Sequence, residues 1–359
     1  ESQLFKNGLT ISEIDVSRLM FERRRMHLGA NAQGYSTITF SMRPQTTLLT
    51  RPIPAQPFVP GGEDALAERC EAILSMQAAG LAKRIEHAHA RTAVVGISGG
   101  LDSSLALIVA ARAMDVLGRP RSDVIAITMP CFGTTLRTRS NAEALCSALG
   151  VTFRTVEIAR TVRSHFEDIG HEESVRNAVY ENAQARERTQ VLMDLANQTE
   201  GLVIGTGDLS ELALGWATYN GDQMSMYGVN AAIPKTLVRY LVAYEADRTL
   251  GGLSDVLCDV LDTPVSPELL PPKDGEISQK TEDLVGPYEL HDFFLYYMLR
   301  FGYSPRKIYR IARKTFAGAY DDATIRKWLT TFLRRFFSQQ FKRSCLQDGP
   351  NVRTLPLPA

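Results

Sequence analysis

No apolar run in this chain of 359 residues approaches the roughly 18 needed to span a bilayer, and its start lacks the form of a signal peptide. A soluble, cytoplasmic protein without a membrane partner is therefore expected. Excess charge is missing as well: Lys+Arg and Asp+Glu both number 40, so no global field points to nucleic acid or an anionic surface. Cysteine is scarce. The five are scattered (Cys70, Cys131, Cys146, Cys258, Cys345), with no CxxC and no Cys/His cluster, which argues against structural zinc and a disulfide framework. Internal repeats and low-complexity tracts are absent, and so is the GxxxxGK[ST] phosphate loop. What the chain has in quantity is apolar side chains, 44% of the total, enough for one large core and an appendage.

The stretch that organises it is residues 92–106, TAVVGISGGLDSSLA. Val94, Val95 and Ile97 form a short β-branched run that breaks at once into Gly96, Ser98, Gly99 and Gly100, then Leu101, Asp102 and an apolar helical pattern. Strand, tight loop and helix follow. Glycines let the backbone approach an oxyanion, and Ser98, Ser103, Ser104 and the free N–H groups of the helix start supply donors where the helix dipole favours negative charge. An acid, Asp102, stands inside that anion cradle, which makes sense if a magnesium ion bridges carboxylate and phosphate. The plainer alternative is a glycine turn with Asp102 as helix cap.

Along the chain, residues 1–42 offer one basic amphipathic piece (15–25, DVSRLMFERRR) and a β-like run (35–42), too little to close a core. Pro44, Pro52, Pro54, Pro57 and Pro60 mark 43–62 as an extended linker, and 63–359 forms the main domain. Helices are expected over 65–90, 105–116, 140–149 and 182–197, and strands over 92–97, 123–129, 151–156 and 202–206. That alternation predicts an α/β fold: a doubly wound parallel sheet with its ligand at the carboxyl ends of the strands. Residues 160–181 and 264–288 read as long irregular lids. The chain from Gly302 onward reads as helical and basic, with 12 Lys/Arg between Arg300 and Arg343.

A second constellation is 205–219, GTGDLSELALGWATY: strand, Thr206, then a polar turn into a helix carrying Glu211. Asp208 with Glu211 three residues on also satisfies a capping box that needs no ligand. The continuation TYNGDQMSMYGVNAAIPK has too little periodicity for a core element and ends in Lys235.

SGGLDS resembles the signature of the ATP pyrophosphatase superfamily, and the span from the linker to the C-terminus resembles the glutamine-dependent branch of the NAD synthetase family. That resemblance implies a Rossmann-like PP-loop fold of the adenine nucleotide alpha-hydrolase type with a helical C-terminal extension. It implies ATP-dependent amidation of deamido-NAD to NAD through an adenylate, a ligase reaction releasing AMP and pyrophosphate. DVSRLMFERRR is similar to the tail of the nitrilase-like glutaminase domain that supplies ammonia from glutamine, so a chain opening on Glu1 is expected to be part of a longer one. Carried over by position, Gly96, Ile97, Ser98, Gly99, Gly100, Leu101, Asp102 and Ser103 would bind ATP together with Thr206, and Lys235 would offset the charge of departing pyrophosphate. Asp102 and Glu211 would hold Mg2+. Glu211, Trp216, Ala217, Thr218 and Tyr219 would cradle deamido-NAD, joined by Asn182 and Arg186, which sit four apart on one helix face, and by Lys342, expected to reach across a dimer interface. Asp222 would hold or deprotonate ammonium. The resemblance also implies a homo-oligomer with a dimeric core.

Two departures from the family pattern are visible: Cys131 where a glycine is usual, bearing on the adenine pocket, and Asn351 where a lysine is common. Rival readings are a tRNA-modifying enzyme of the same superfamily, which the basic C-terminal helices favour, and a nucleotide sensor without catalysis. A thiolase among the first would normally carry a reactive cysteine pair, and the second would tolerate loss of Asp102, Glu211 and Lys235.

Overall fold

The computed structural model describes residues 11–26, 48–133, 136–263 and 281–352, together with 5, 7–9, 34, 36, 38–43, 45 and 269. The helices are α1 (Val16–Arg25), α2 (Glu63–Ala88), α3 (Leu101–Val116), α4 (Leu136–Leu149), α5 (Ala159–Ile169), α6 (Ala178–Gln198), α7 (Leu209–Leu214), α8 (Lys235–Arg248), α9 (Gly252–Leu261), α10 (Thr281–Val285), α11 (Tyr288–Phe301), α12 (Pro305–Thr315) and α13 (Asp322–Ser338). The strands are β1 (Thr92–Gly96), β2 (Val124–Thr128), β3 (Thr152–Thr155), β4 (Gly201–Gly205) and β5 (Tyr227–Gly228). They form one parallel sheet in the order β3-β2-β1-β4-β5, so the expected doubly wound α/β architecture is present.

Side chains alternate across each strand, and two cores result. Ala93 and Val95 of β1 pack with α2, α3, α8 and α9, while Val94 joins α5 and α6 on the opposite face. A third core lies outside the sheet, where α11, α12 and α13 bury Phe293, Phe294, Ile308, Phe332 and Phe336 with Leu209 and Leu214 of α7. Phe58, 1% exposed, inserts the proline-rich segment into this core with its ring edge-on to Tyr296, so that part of the linker is packed, not free. α1 joins the same layer through its N-cap Asp15, which accepts from Lys307 Nζ (2.5 Å) and Tyr303 Oη (2.5 Å). Among the described residues no helix is long and apolar enough to cross a membrane.

Several expectations need correction. Residues 160–181 are not an irregular lid: α5 and the first turn of α6 occupy most of them. Two apolar anchors, Val162 and Phe166, give too weak a period to see, yet Phe166 stacks on Phe132 and Tyr180 and that suffices. The β-like run at 35–42 forms no strand over its described residues, where Ile38, Phe40 and Met42 are exposed. α3 starts four residues earlier than expected, directly behind Gly100. β5, α8 and α9 were not foreseen. Of the second expected lid, 264–268 and 270–280 lie outside the described residues, and 281–288 are α10 and the start of α11.

Candidate active site

The order of strands reverses between β1 and β4, and in such sheets the crevice beyond the carboxyl ends is the place for a ligand. A cavity of about 200 Å³ opens there, lined by Gly96, Ile97, Ser98 and Ser103 from one strand end, Gly205 and Thr206 from the other, and Arg188, Thr189, Asp222 and Met224 from the flanks. The loop between β1 and α3 is braced internally. Ser98 and Ser103 share a hydroxyl contact of 3.1 Å, Gly100 N donates to Ser98 Oγ (3.1 Å), and Ser103 and Ser104 both donate to Gly100 O (3.1 and 2.8 Å). Gly99 has φ +83°, a backbone state that a side chain disfavours. Gly100 stands at the N-cap of α3 with no side-chain cap bond, so the first N–H groups of the helix point out uncapped, as an anion site requires.

Beside this loop lies a cluster of buried charge. Lys235 Nζ, on the first residue of α8, sits 2.7 Å from Asp102 Oδ2, 2.7 Å from Asp208 Oδ2 and 2.9 Å from Glu211 Oε1. Burial alone would lower the Lys235 pKa; Asp102, Asp208 and Glu211 overrule it and hold the ammonium charged well above its ordinary range. Burial pushes Asp208 and Glu211 upward, with Lys235 opposing. The three carboxylates each offer an oxygen within 4.8 Å of the others. With all three ionised against one ammonium the cluster carries two surplus negative charges, and Asp102 Oδ1 is buried without a hydrogen-bond partner. Asp208 Oδ2 meets Lys235 only as an ion pair, without hydrogen-bond alignment. Surplus charge of two, hard oxygen donors and an orphaned carboxylate oxygen fit a divalent cation such as Mg2+.

The sequence places the cluster through local rules. Asp208 is the N-cap of α7 and accepts from Glu211 N (2.8 Å), while Glu211 reaches back to Asp208 N: the capping box exists and also fixes two of the three carboxylates. Gly215 ends α7 in the left-handed conformation (φ +59°), where a Cβ would lie 2.3 Å from that of Gln339. Arg335 Nε donates to Leu214 O, Arg343 to Ala213 O and Lys342 Nζ to Gly215 O (3.0 Å) and Ala217 O (2.5 Å), so three cations face the negative end of α7. Asn230, wholly buried, donates to both Asp102 O (3.0 Å) and Thr206 O (3.1 Å) and thereby ties the loop to the end of β4.

A family model described as NAD synthase matches residues 73–310, a span that contains the loop and all four charged groups. The chain belongs to the NAD synthase family. Glutamine-dependent NAD(+) synthetases of Mycobacterium bovis and Mycobacterium leprae are each 41% identical to it over 98% of its length and 57% of theirs, so the chain spans a little over half of the curated relatives it matches. A glutamine-dependent NAD(+) synthetase from Cytophaga hutchinsonii superposes with a TM-score of 0.64 at 16% identity, covering 81% of this chain and 54% of that one. An NMN synthetase from Francisella tularensis gives 0.56 at 23%, covering 76% and 95%, and at these identities the likeness speaks to the fold alone.

Within this NAD synthase fold the predicted residues divide into groups. Asp102, Glu211 and Lys235 come together in the charged cluster, and Gly96, Ile97, Ser98, Ser103 and Thr206 line the neighbouring cavity. Asn182 Oδ1 accepts from Thr218 Oγ1 (2.9 Å) and Arg186 Nε donates to Tyr219 O (3.3 Å), which gathers both with the 216–219 run. Asp222 lines the cavity and accepts from Thr218 N (2.6 Å); desolvation of its carboxyl raises its pKa against that bond. Trp216 is partly buried under Arg335, and Tyr219, more exposed, lies 5.4 Å from Phe341. Lys342 is half-buried and donates to carbonyls of its own chain, and it lies outside the span that the family model matches. Cys131, at the departure from the family pattern, is partly buried, and its thiol pKa is raised by burial. Sequence reasoning missed Asp208 as an acid of the cluster, having assigned it to the cap, and missed Arg188, two positions from Arg186, on the cavity wall. It also missed Asn230, an amide inside an aperiodic run with no local signal.

Proposed function

We propose that this chain carries the synthetase activity of a glutamine-dependent NAD(+) synthetase: ATP-dependent amidation of deamido-NAD. The carboxylate of the nicotinate ring attacks the α-phosphorus of ATP, the bond to the β-phosphate oxygen breaks and pyrophosphate leaves, giving an acyl adenylate. Ammonia then attacks the activated carbonyl, a proton is lost from nitrogen, and AMP departs with NAD left as the amide. The observation that carries the proposal is the convergence of Asp102, Asp208, Glu211 and Lys235 at the uncapped start of α3. Phosphoryl chemistry of this kind depends on donors fixed where negative charge develops, and loop amides with a buried ammonium are such donors.

In this reading the loop from Gly96 to Ser103 and Thr206 hold the triphosphate, and Lys235 faces the departing pyrophosphate. Asp102 and Glu211, with Asp208 beside them, would hold Mg2+, whose contribution when bound is to neutralise phosphate charge. Asn182, Arg186, Trp216, Ala217, Thr218, Tyr219 and Lys342 line the approach of deamido-NAD, and Asp222, on the cavity wall, takes the ammonium and accepts its proton. A glutaminase domain of the longer protein would be the source of ammonia, and a dimer the working assembly.

Mixing the chain with ammonia, MgATP and deamido-NAD and following NAD tests the proposal. NAD, AMP and pyrophosphate in equal amounts are expected. AMP formed only when tRNA is added would overturn it in favour of a tRNA-modifying enzyme, and nucleotide binding without AMP in favour of a sensor.

A further inference from the structure

One buried carboxylate touches none of the cavity and yet bonds to the neighbours of the charged cluster. Asp292 lies in the middle of α11 and is 1% exposed. Its Oδ2 accepts from Thr236 N (2.9 Å) and Thr236 Oγ1 (2.7 Å), and its Oδ1 accepts from Ser210 Oγ. Ser210 Oγ in turn accepts from Lys235 N (2.9 Å). Thr236 and Ser210 are the sequence neighbours of Lys235 and Glu211. One turn earlier on the same face of α11, the ring of Tyr288 lies 5.2 Å from Lys235 Nζ. α11 therefore approaches the lysine twice, at its ammonium through the Tyr288 ring and, by way of Ser210, at its backbone N–H.

A carboxylate buried this deeply is costly unless its lone pairs are used, and here both oxygens are taken by groups from two other elements. Pro234 precedes α8 and supplies no side-chain cap, so Asp292 satisfies the N–H of Thr236 at the start of that helix, where negative charge is favoured. Any residue that merely filled the space would leave Thr236 N, Ser210 Oγ and, through it, the first turn of α8 unanchored. Lys235 and Glu211 would then lose a shared reference point.

We propose that Asp292 is a positioning residue for the reaction: from the helical C-terminal layer it sets the distance between Lys235 on α8 and Glu211 on α7. It touches no substrate, and the assignment rests on the synthetase activity proposed above. The test uses the full chain carrying Asp292→Asn, which keeps shape but replaces one acceptor by a donor, with Ser210→Ala as a milder variant that cuts the relay without touching the carboxylate. Because misplacement of a group by about 1 Å commonly costs on the order of 100-fold in rate, Asp292→Asn is expected to lower kcat by roughly 10- to 100-fold with KM for deamido-NAD changed less than about twofold. Ser210→Ala should give a smaller loss in the same sense.

Amide hydrogen exchange supplies a readout that does not depend on activity. In Asp292→Asn, protons of Lys235 and Thr236 should exchange at least about tenfold faster while those of α13 stay as they were. Should the unaltered chain make no NAD, the functional reading fails while exchange still decides the role of Asp292. An unchanged kcat, a rise confined to KM, or unchanged exchange at 235 and 236 overturns the proposal. Uniformly faster exchange across α11, α12 and α13 would also overturn it, since that marks a general structural role.

Discussion

Removing the ammonium from the buried cluster gives a measurable consequence that follows from the charges alone. Asp102, Asp208 and Glu211 each present an oxygen within 4.8 Å of the others, and Lys235 Nζ, 5% exposed, is the cation that all three share. Lys235→Met keeps most of the stem volume and leaves three carboxylates against no cation. Breaking a buried pair by deleting one partner costs about 3–5 kcal/mol, because the remaining charge stays desolvated. Part of that loss can be avoided by protonation, and burial already raises the pKa of Asp208 and Glu211. The loss should therefore be at its fullest above neutral pH and shrink on acidification. A divalent cation that binds the folded state at 100 times its Kd restores about 2.7 kcal/mol. With the ammonium gone, its affinity for the cluster rises. Thermal or urea unfolding at pH 8, with chelator and with 10 mM magnesium or manganese, reads both quantities. A larger cation-dependent gain in Lys235→Met than in the unaltered chain is expected. A loss under about 1 kcal/mol in chelator, or the same cation-dependent gain in both proteins, would refute the idea that surplus carboxylate charge makes this a cation site.

Asp102→Asn should fold normally, since only one of the three contacts of Lys235 is weakened, while NAD formation falls by about 100- to 1,000-fold, the usual loss for a preorganised charged donor set; a loss under about threefold would exclude Asp102 from the chemistry. His291 is 1% exposed, donates Nε2–H to Val285 O (2.7 Å) and has Nδ1 buried without a partner, so burial lowers its pKa to about 4. An unfolded histidine takes up its proton near pH 6.5 and the folded one only near 4, so this residue costs the native state about 3 kcal/mol as pH falls through that window. Its neighbour Asp292, raised to about 6 by burial, acts with opposite sign: the stability linked to its protonation is present below about pH 4 and lost as pH rises through 6. Relative to the unaltered chain, His291→Gln should therefore gain about 3 kcal/mol in urea unfolding between pH 7 and 4, and parallel pH profiles would contradict this. Lys342→Met removes two charged hydrogen bonds to the carbonyls of Gly215 and Ala217 and should cost about 1–3 kcal/mol of stability. A rise in KM for deamido-NAD with stability unchanged would instead return Lys342 to the substrate.

The parts of the molecule that could be read in advance are those governed by local rules. The β1 loop announces itself because glycines, serines and an acid follow a β-branched strand at fixed spacing, and α3 runs from it as an apolar helix buried along most of its length. Lys235 and Glu211 stand out only because the resemblance selects them from a stretch without periodicity. Asn230, Tyr288 and Asp292 carry no such signal. Each does its work through contacts with residues from 24 to 128 positions away or more loosely through a ring face, and spacing along the chain says nothing of that. α5 was illegible for another reason: two buried apolar residues on a charged helix look like a loop until Phe132 and Tyr180 are brought against them.

The sequence offered two accounts of Glu211, a capping box with Asp208 that needs no ligand or a place in a site for one, and in the structure the cap and the contact with Lys235 coexist. A carboxylate that caps a helix is held by a backbone N–H and cannot wander, which is what a charged group must be if it is to sit within 3 Å of Lys235 while buried. α7 is only six residues long, too short to hold its own geometry in isolation. Its fixity is imposed at both ends and in the middle: by the cap at Asp208, by Ser210 on Asp292, and by Arg335, Lys342 and Arg343 on its last carbonyls. Ile233 and Lys235 add bonds from the start of α8, and the remaining anchors come from residues beyond 290, so the basic C-terminal layer that suggested a nucleic-acid surface spends three of its cations on α7. A layer used in this way supports the candidate site through α7, although none of α11, α12 or α13 reaches the cavity between β1 and β4.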